Sequence, residues 1–257
     1  MEDNHIRILC IGNSFSEDTT AHVPKIAKSL GFKPILIANL YIGGCPITKH
    51  YHNLLQDAPA YRYDRNDGTR WVSHEGCSIR EAIESESWDW ISIQHGSSDG
   101  NRYTDPDCYR DLPLLVAQVK ALAGAHTKIA FNMTWTGESN FDHHEIVENG
   151  GDIDLLFQKI VTITEQVVGQ VEGIDRIVPT GTAVHNARAT ALVSRLHRDG
   201  YHLSMDIGRY LAGLIFFQTL SNTSTDDIRW KPQNVSDEEK KLLLRMVALA
   251  SKSPYRV

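Results

Sequence analysis

The chain has 257 residues, a formal net charge of −6, and 41% hydrophobic against 23% charged residues. That is the balance of a globular protein with enough chain to bury a sizeable core. Lys and Arg are scattered, with no block that would track a phosphate backbone, and no apolar run is long enough to span a membrane; both nucleic acid and bilayer are argued against as partners.

Cys10, Cys45, Cys77 and Cys108 lie far apart with no C-x-x-C pair, which disfavours a zinc site or a disulfide framework. The opening, MEDNHIR, lacks the charged and apolar regions of a signal peptide. The expected location is the cytoplasm, or outside the cell if a leader has been removed.

Strands and helices alternate along the chain. Ile6 to Ile11 is a short apolar run stopped by Gly12, as in a buried parallel strand. A helix is predicted from about Thr20 to Leu30, ended by Gly31, and a second strand over Pro34 to Tyr41, ending at Gly43-Gly44. After a helix near Thr48 to Gln56, residues 60–73 read as a hairpin turning at Asp67-Gly68, placed outside the main sheet. Ser78 with Glu81 forms a capping box.

Asp89 to Gln94 and Lys128 to Trp135 are the third and fourth strands, joined by a helix near Tyr109 to Leu122. A helix near Ile153 to Val168 leads to a fifth strand, Asp175 to Pro179. Helices near Thr182 to Leu196, Met205 to Leu220 and Ser236 to Ala250 finish the chain, the last opened by a Ser236–Glu239 capping box. Five strands separated by helices imply one α/β domain over residues 1–257, with a mainly parallel sheet covered on both faces.

In such a sheet chemistry gathers just beyond the carboxyl ends of the strands. Those positions carry Gly12-Asn13-Ser14, Gly43-Gly44-Cys45 and Gln94-His95-Gly96-Ser97-Ser98. Late in the chain, RDGYHLS places Asp199 three residues before His202. A nucleophilic serine needs a base, and the base needs a carboxylate to fix its tautomer, so Ser14, His202 and Asp199 form a candidate set. The N–H groups of Ser14 and Gly44, with the Gln94 side-chain amide, are candidate donors to an oxyanion.

Each of these residues has a plainer reading. A serine between strand and helix is commonly a cap, although Ser16 is the better candidate for that role alone. Gly43-Gly44 can be only a turn, and Gln94 can simply satisfy buried backbone. His143-His144-Glu145 and His50-x-His52 lack metal-site spacing and read as solvated loop residues. Most of Pro179 to Arg188, with His185 and Asn186, reads as bracing, and Arg188 is the member most worth testing. Trp135, Tyr41 and His95 are candidates for a substrate platform or for packing.

The segments IGNSFS, YIGGCPI, a polar amide after the third strand and DGYHLS occur in the order that marks the SGNH (GDSL-like) hydrolases, which the chain resembles from Arg7 to about Leu220. With GNSFSED, NLYIGGC, TWT and PTGTAVHNAR it resembles a little-characterised bacterial branch of them. The resemblance implies a flavodoxin-like three-layer α/β/α fold. It also implies esterase chemistry with Ser14 as nucleophile, Gly44 as oxyanion glycine, Asp199 and His202 completing the triad, and no metal or organic cofactor.

The family's GDS is GNS here and its GxND is missing, so the third donor is either Gln94, as in acetylesterase-like members, or Ser98 in an alternative alignment. The implied substrate is a small acyl ester, acetyl above all, on a carbohydrate. Two other classes stay open: a non-catalytic carbohydrate-binding protein, and a small-anion or nucleotide binder at the strand-to-helix turn. Against the latter, GxxxxGK[ST] and GxGxxG are both missing.

Overall fold

The computed structural model describes residues 4–96 and 102–256. Strand β1 (Ile6–Gly12) sends Ile6, Ile8 and Cys10 into one hydrophobic core and Leu9 and Ile11 into another. This alternation divides a sheet buried on both faces. Strand β2 (Ile35–Tyr41) does the same, with Ile35 and Ile37 on the first side and Leu36, Ala38 and Leu40 on the second.

Strands β5 (Trp90–Ile93), β6 (Lys128–Asn132) and β7 (Arg176–Val178) complete a parallel array in the order β2-β1-β5-β6-β7. The connection after β1 runs to β2 and the one after β5 runs the other way, to β6, so a crevice opens at the switch point between their carboxyl ends.

The sheet has seven strands rather than the expected five. The predicted hairpin forms β3 (Tyr61–Asn66) and β4 (Trp71–Cys77), but it is not an excursion. Strand β3 pairs antiparallel with β2, setting Asn39 opposite Asp64 and Tyr41 opposite Arg62. Left alone, the outer edge of β2 would present a row of unpaired N–H and C=O groups, and the hairpin takes them up.

On the first face lie helices α1 (Ser14–Thr20), α2 (Val23–Ser29), α8 (Thr180–Arg188), α9 (Ile207–Ser221) and α10 (Asp237–Lys252). On the second lie α3 (Ile47–Leu55), α4 (Ile79–Glu84) and α5 (Leu112–Ala123). Helices α6 (His144–Glu148) and α7 (Ile153–Gln166) gather a smaller third cluster with Met133. Helix α9 packs against α1, α2, α8 and α10. Its sequence IGRYLAGLIFF is apolar nearly all round because no face of it is left to solvent. Among the described residues no helix is long and apolar enough to cross a membrane.

Local signals place many boundaries: both capping boxes form, and Gly68, in the hairpin turn, has φ +89°. Two helices differ. The one predicted from Thr20 starts at Ser14 and breaks at Ala21-His22, where Pro24 restarts the chain as α2. The one predicted over Thr182 to Leu196 ends at Arg188 and is followed by a short 3-10 turn at Val193–Arg195.

Candidate active site

Ser14 is the first residue of α1, directly beyond β1, and it is not the cap. That task falls to Asn13, whose Oδ1 accepts from the Phe15 N–H at 3.0 Å. Ser16, expected to be the pure cap, lies inside the helix and donates to the Asn13 carbonyl at 2.7 Å. The Ser14 hydroxyl is thereby left for another partner: its Oγ is 3.0 Å from His202 Nε2. His202 Nδ1 is 2.7 Å from Asp199 Oδ2, and Asp199 Oδ1 accepts from the N–H groups of Tyr201 (2.9 Å) and His202 (2.7 Å).

Partial burial opposes the Asp199 charge but is outweighed by the His202 ring and by these two N–H groups. Its carboxyl therefore titrates below the ordinary Asp range. An anion held on Nδ1 leaves Nε2 as the ring's proton acceptor, facing the serine.

The loop bearing Asp199 and His202 is fastened to α1 by a residue that sequence reading missed. Asp18, one turn after Ser14, is fully buried. Its Oδ1 accepts from Arg198 Nη1 and Arg209 Nε, both at 2.8 Å, and its Oδ2 accepts from the Leu203 N–H at 2.8 Å. One carboxylate thus ties the helix of Ser14 to both sides of His202. The available signal was an acid in GNSFSED with arginines at 198 and 209 bracketing His202.

From the other side Trp135 Nε1 donates to the Tyr201 carbonyl at 3.0 Å, so Trp135 packs and braces instead of forming a platform. Arg188 Nη2 donates to the carbonyls of Thr136 (2.7 Å) and Gly137 (2.8 Å), and the neighbouring Glu138 N–H donates to the Gly200 carbonyl at 2.6 Å.

Gln94, 2% exposed at the end of β5, joins a row of amides across the strand ends. Its Nε2 donates to Asn13 Oδ1 at 2.8 Å, its Oε1 accepts from Asn132 Nδ2 at 3.3 Å, and Asn132 Oδ1 accepts from Thr180 Oγ1 at 2.6 Å. Gly44 turns at φ +59°, a left-handed conformation that favours glycine. A Cβ on Gly96 would fall 2.1 Å from the Cys45 carbonyl and 2.6 Å from Asn13 Nδ2, so the loops after β1, β2 and β5 converge with no room between them. Ser98, the alternative third donor, lies outside the described residues.

The other histidine clusters are not solvated loops, although His52 is exposed, on helix α3. His50 is buried on α3, 2.9 Å from the Tyr61 hydroxyl and 3.6 Å from Cys45 Sγ. His143 and His144 are half-buried, and His143 stacks on Tyr103 and Tyr201. Buried Glu145 accepts from the N–H groups of Tyr103 and Thr104, so its oxygens serve the loop. His185 stacks on Phe157, and His95 is buried against Tyr109. Tyr41 lies under the Arg62 guanidinium, 4.0 Å from ring centroid to Cζ.

The family model described as "Domain of unknown function (DUF4886)" matches residues 7–250. A solved DUF4886 family protein from Bacteroides uniformis ATCC 8492 is 30% identical, with TM-score 0.92, covering 98% of this chain and 97% of that one. Axe2, an acetylxylan esterase from Geobacillus stearothermophilus, is similar in fold at 17% identity and TM-score 0.52, covering 86% and 96%. A member of the lipolytic protein G-D-S-L family from Veillonella parvula DSM 2008 is similar at 12% identity and TM-score 0.50, covering 85% and 100%. No curated protein matches the chain.

Proposed function

This chain belongs to the DUF4886 family, and we propose that it is a serine esterase of the SGNH type acting on small acyl esters, acetyl above all, carried by carbohydrates. One observation carries the reading: a serine hydroxyl, an imidazole and a carboxylate in a relay of 3.0 and 2.7 Å, at the switch point of a parallel sheet. The carbohydrate part is supported by the fold shared with an acetylxylan esterase and by the glutamine after the third parallel strand.

His202 Nε2 takes the proton as Ser14 Oγ adds to the ester carbonyl, and Asp199 steadies the imidazolium. The oxyanion is assigned to the N–H groups of Ser14 and Gly44. The Gln94 amide is the third donor, since Nε2 carries two protons and gives one to Asn13. His202 then protonates the departing alcohol. Water, deprotonated by the same imidazole, attacks the acyl-enzyme and releases the acid.

The test is hydrolysis of p-nitrophenyl esters from acetate to octanoate by wild type and Ser14→Ala. The expected result is a rate that falls steeply with chain length and disappears in the variant. Hydrolysis that survives loss of the hydroxyl would move the nucleophile elsewhere. Inactivity in both, with no labelling of Ser14 by a fluorophosphonate, would leave a binding protein.

A further inference from the structure

The added hairpin brings with it a second feature beside the serine. Between the polar face of β2–β4, helix α1 and the start of α9 lies a cavity of about 360 Å³ lined by Glu17, Asn39, Arg62, Asp64, Trp71 and Arg209, among others. That volume lies in the range of small-molecule sites.

Its buried member is Asn39, only 1% exposed. Asn39 Nδ2 donates to Thr20 Oγ1 at 2.8 Å, while Oδ1 has no hydrogen-bond partner among the described residues. A buried amide oxygen without a donor is costly, and one that borders a cavity can be satisfied by an O–H arriving from a ligand.

The remaining walls narrow the chemistry. The lining holds two acids, Glu17 and Asp64, and two arginines, Arg62 and Arg209: Arg62 grips both Asp64 oxygens at 2.8–3.0 Å and lies 3.6 Å from Glu17, while Arg209 pairs with Asp18 behind the wall. The lining therefore carries no net charge to select an ion, yet it offers both acceptors and donors. Trp71 is half-buried, packed on the hydrophobic core behind it, and adds an apolar plane. A planar apolar wall, balanced polar groups and a buried amide whose oxygen is unpaired among the described residues suit a neutral, polyhydroxylated ring.

The cavity also lies within reach of the serine. Glu17 and Ala21, which both line it, sit three and seven residues after Ser14 along the same stripe of the chain. That spacing is about 5–10 Å along a helix axis. Arg62 covers Tyr41, whose hydroxyl approaches Gly43 next to Gly44.

We propose that this cavity is a glycan subsite, holding an unsubstituted pyranose unit of an oligosaccharide whose neighbouring unit carries the ester to Ser14. The placement rests on the esterase reading; binding of the sugar does not.

The test is calorimetric titration of the Ser14→Ala chain with xylotetraose and with cellotetraose. Saturable binding of at least one is expected, weakened at least tenfold by adding Trp71→Ala. It should be unchanged by adding Val72→Ala, which alters the neighbouring exposed residue of β4 and controls for the fold of the hairpin. Absence of saturable binding, or equal binding with and without Trp71, overturns the subsite. The p-nitrophenyl acetate assay on wild type is read separately. Hydrolysis without sugar binding sinks the subsite alone, and sugar binding by a wild type that hydrolyses nothing sinks the esterase alone.

Discussion

The pairs Ser14–His202 and Cys45–His50 each set a nucleophilic atom against an imidazole. Ser14 and His202 meet at 3.0 Å where a half-exposed crevice opens; Cys45 and His50 meet at 3.6 Å in the interior, with the Tyr61 hydroxyl on the same ring nitrogen. In the first, a carboxylate waits on the far nitrogen to stabilise a positive ring. In the second, burial pushes the thiol up to about 12 and the imidazole down to about 3, so neither partner charges at neutral pH. Nearness of base and nucleophile is therefore not sufficient. The ion pair formed on proton transfer needs a counter-charge and some solvent, and only one of the two sites has them.

The contrast can be broken most strongly at the serine. Ser14→Ala and His202→Ala should each lower kcat on p-nitrophenyl acetate by on the order of 10⁶. Asp199→Asn, which removes the counter-charge and releases the tautomer, should cost on the order of 10⁴. A variant within tenfold of wild type would mean the carboxylate is ornamental. Asp18→Asn should reduce kcat by roughly 10–100-fold by loosening the loop. It should also cost about 3 kcal/mol in urea unfolding, because the largely buried Arg209 loses its anion while the exposed Arg198 can turn to solvent. Full activity in a destabilised chain would show that the clamp serves only the fold.

The interior site has its own signature. His50 and His95 are held down to about 3 and His197 to about 4, each mainly by burial. Below the ordinary histidine value the unfolded chain takes up protons that the folded chain refuses. The stability these groups contribute is therefore complete above pH 6.5 and declines as pH falls towards the folded values. At pH 5 the decline is about 2 kcal/mol for each such site. Thermal melts at pH 7.5 and 5.0 should record it, and His50→Gln should flatten the dependence; an identical slope would remove His50 from the account. The smallest effect belongs to Cys45→Ala, with kcat within twofold of wild type and no reaction of the native thiol with iodoacetamide at pH 8.

What could be read from the chain was local. Ser78–Glu81, Ser236–Glu239 and Asp67-Gly68 announce their structures because donor and acceptor lie within a few residues of each other. Ser14, Asp199 and His202 were legible through their order along the chain and the chemistry they share. The docking of the hairpin on β2 was not, since any polar hairpin looks alike until its edge partner is known. Asp18 was hidden for a similar reason: a charge on a short helix reads as surface, and its partners lie some 180–190 residues away. Asn13, placed between glycine and serine, concealed the cap that frees the serine.

Strand β2 carries Asn39 in its body and runs directly into the turn at Gly43-Gly44. The place where a sugar unit would be gripped and the place where an acyl oxygen would be received are therefore marks on a single ruler, with divisions of about 3.3 Å per residue. A chain of sugars anchored at one mark presents only the ester that falls at the other. Lengthening or shortening the four residues between Asn39 and Gly44 would change which hydroxyl along a glycan loses its acyl group, with the chemistry at Ser14 left as it is.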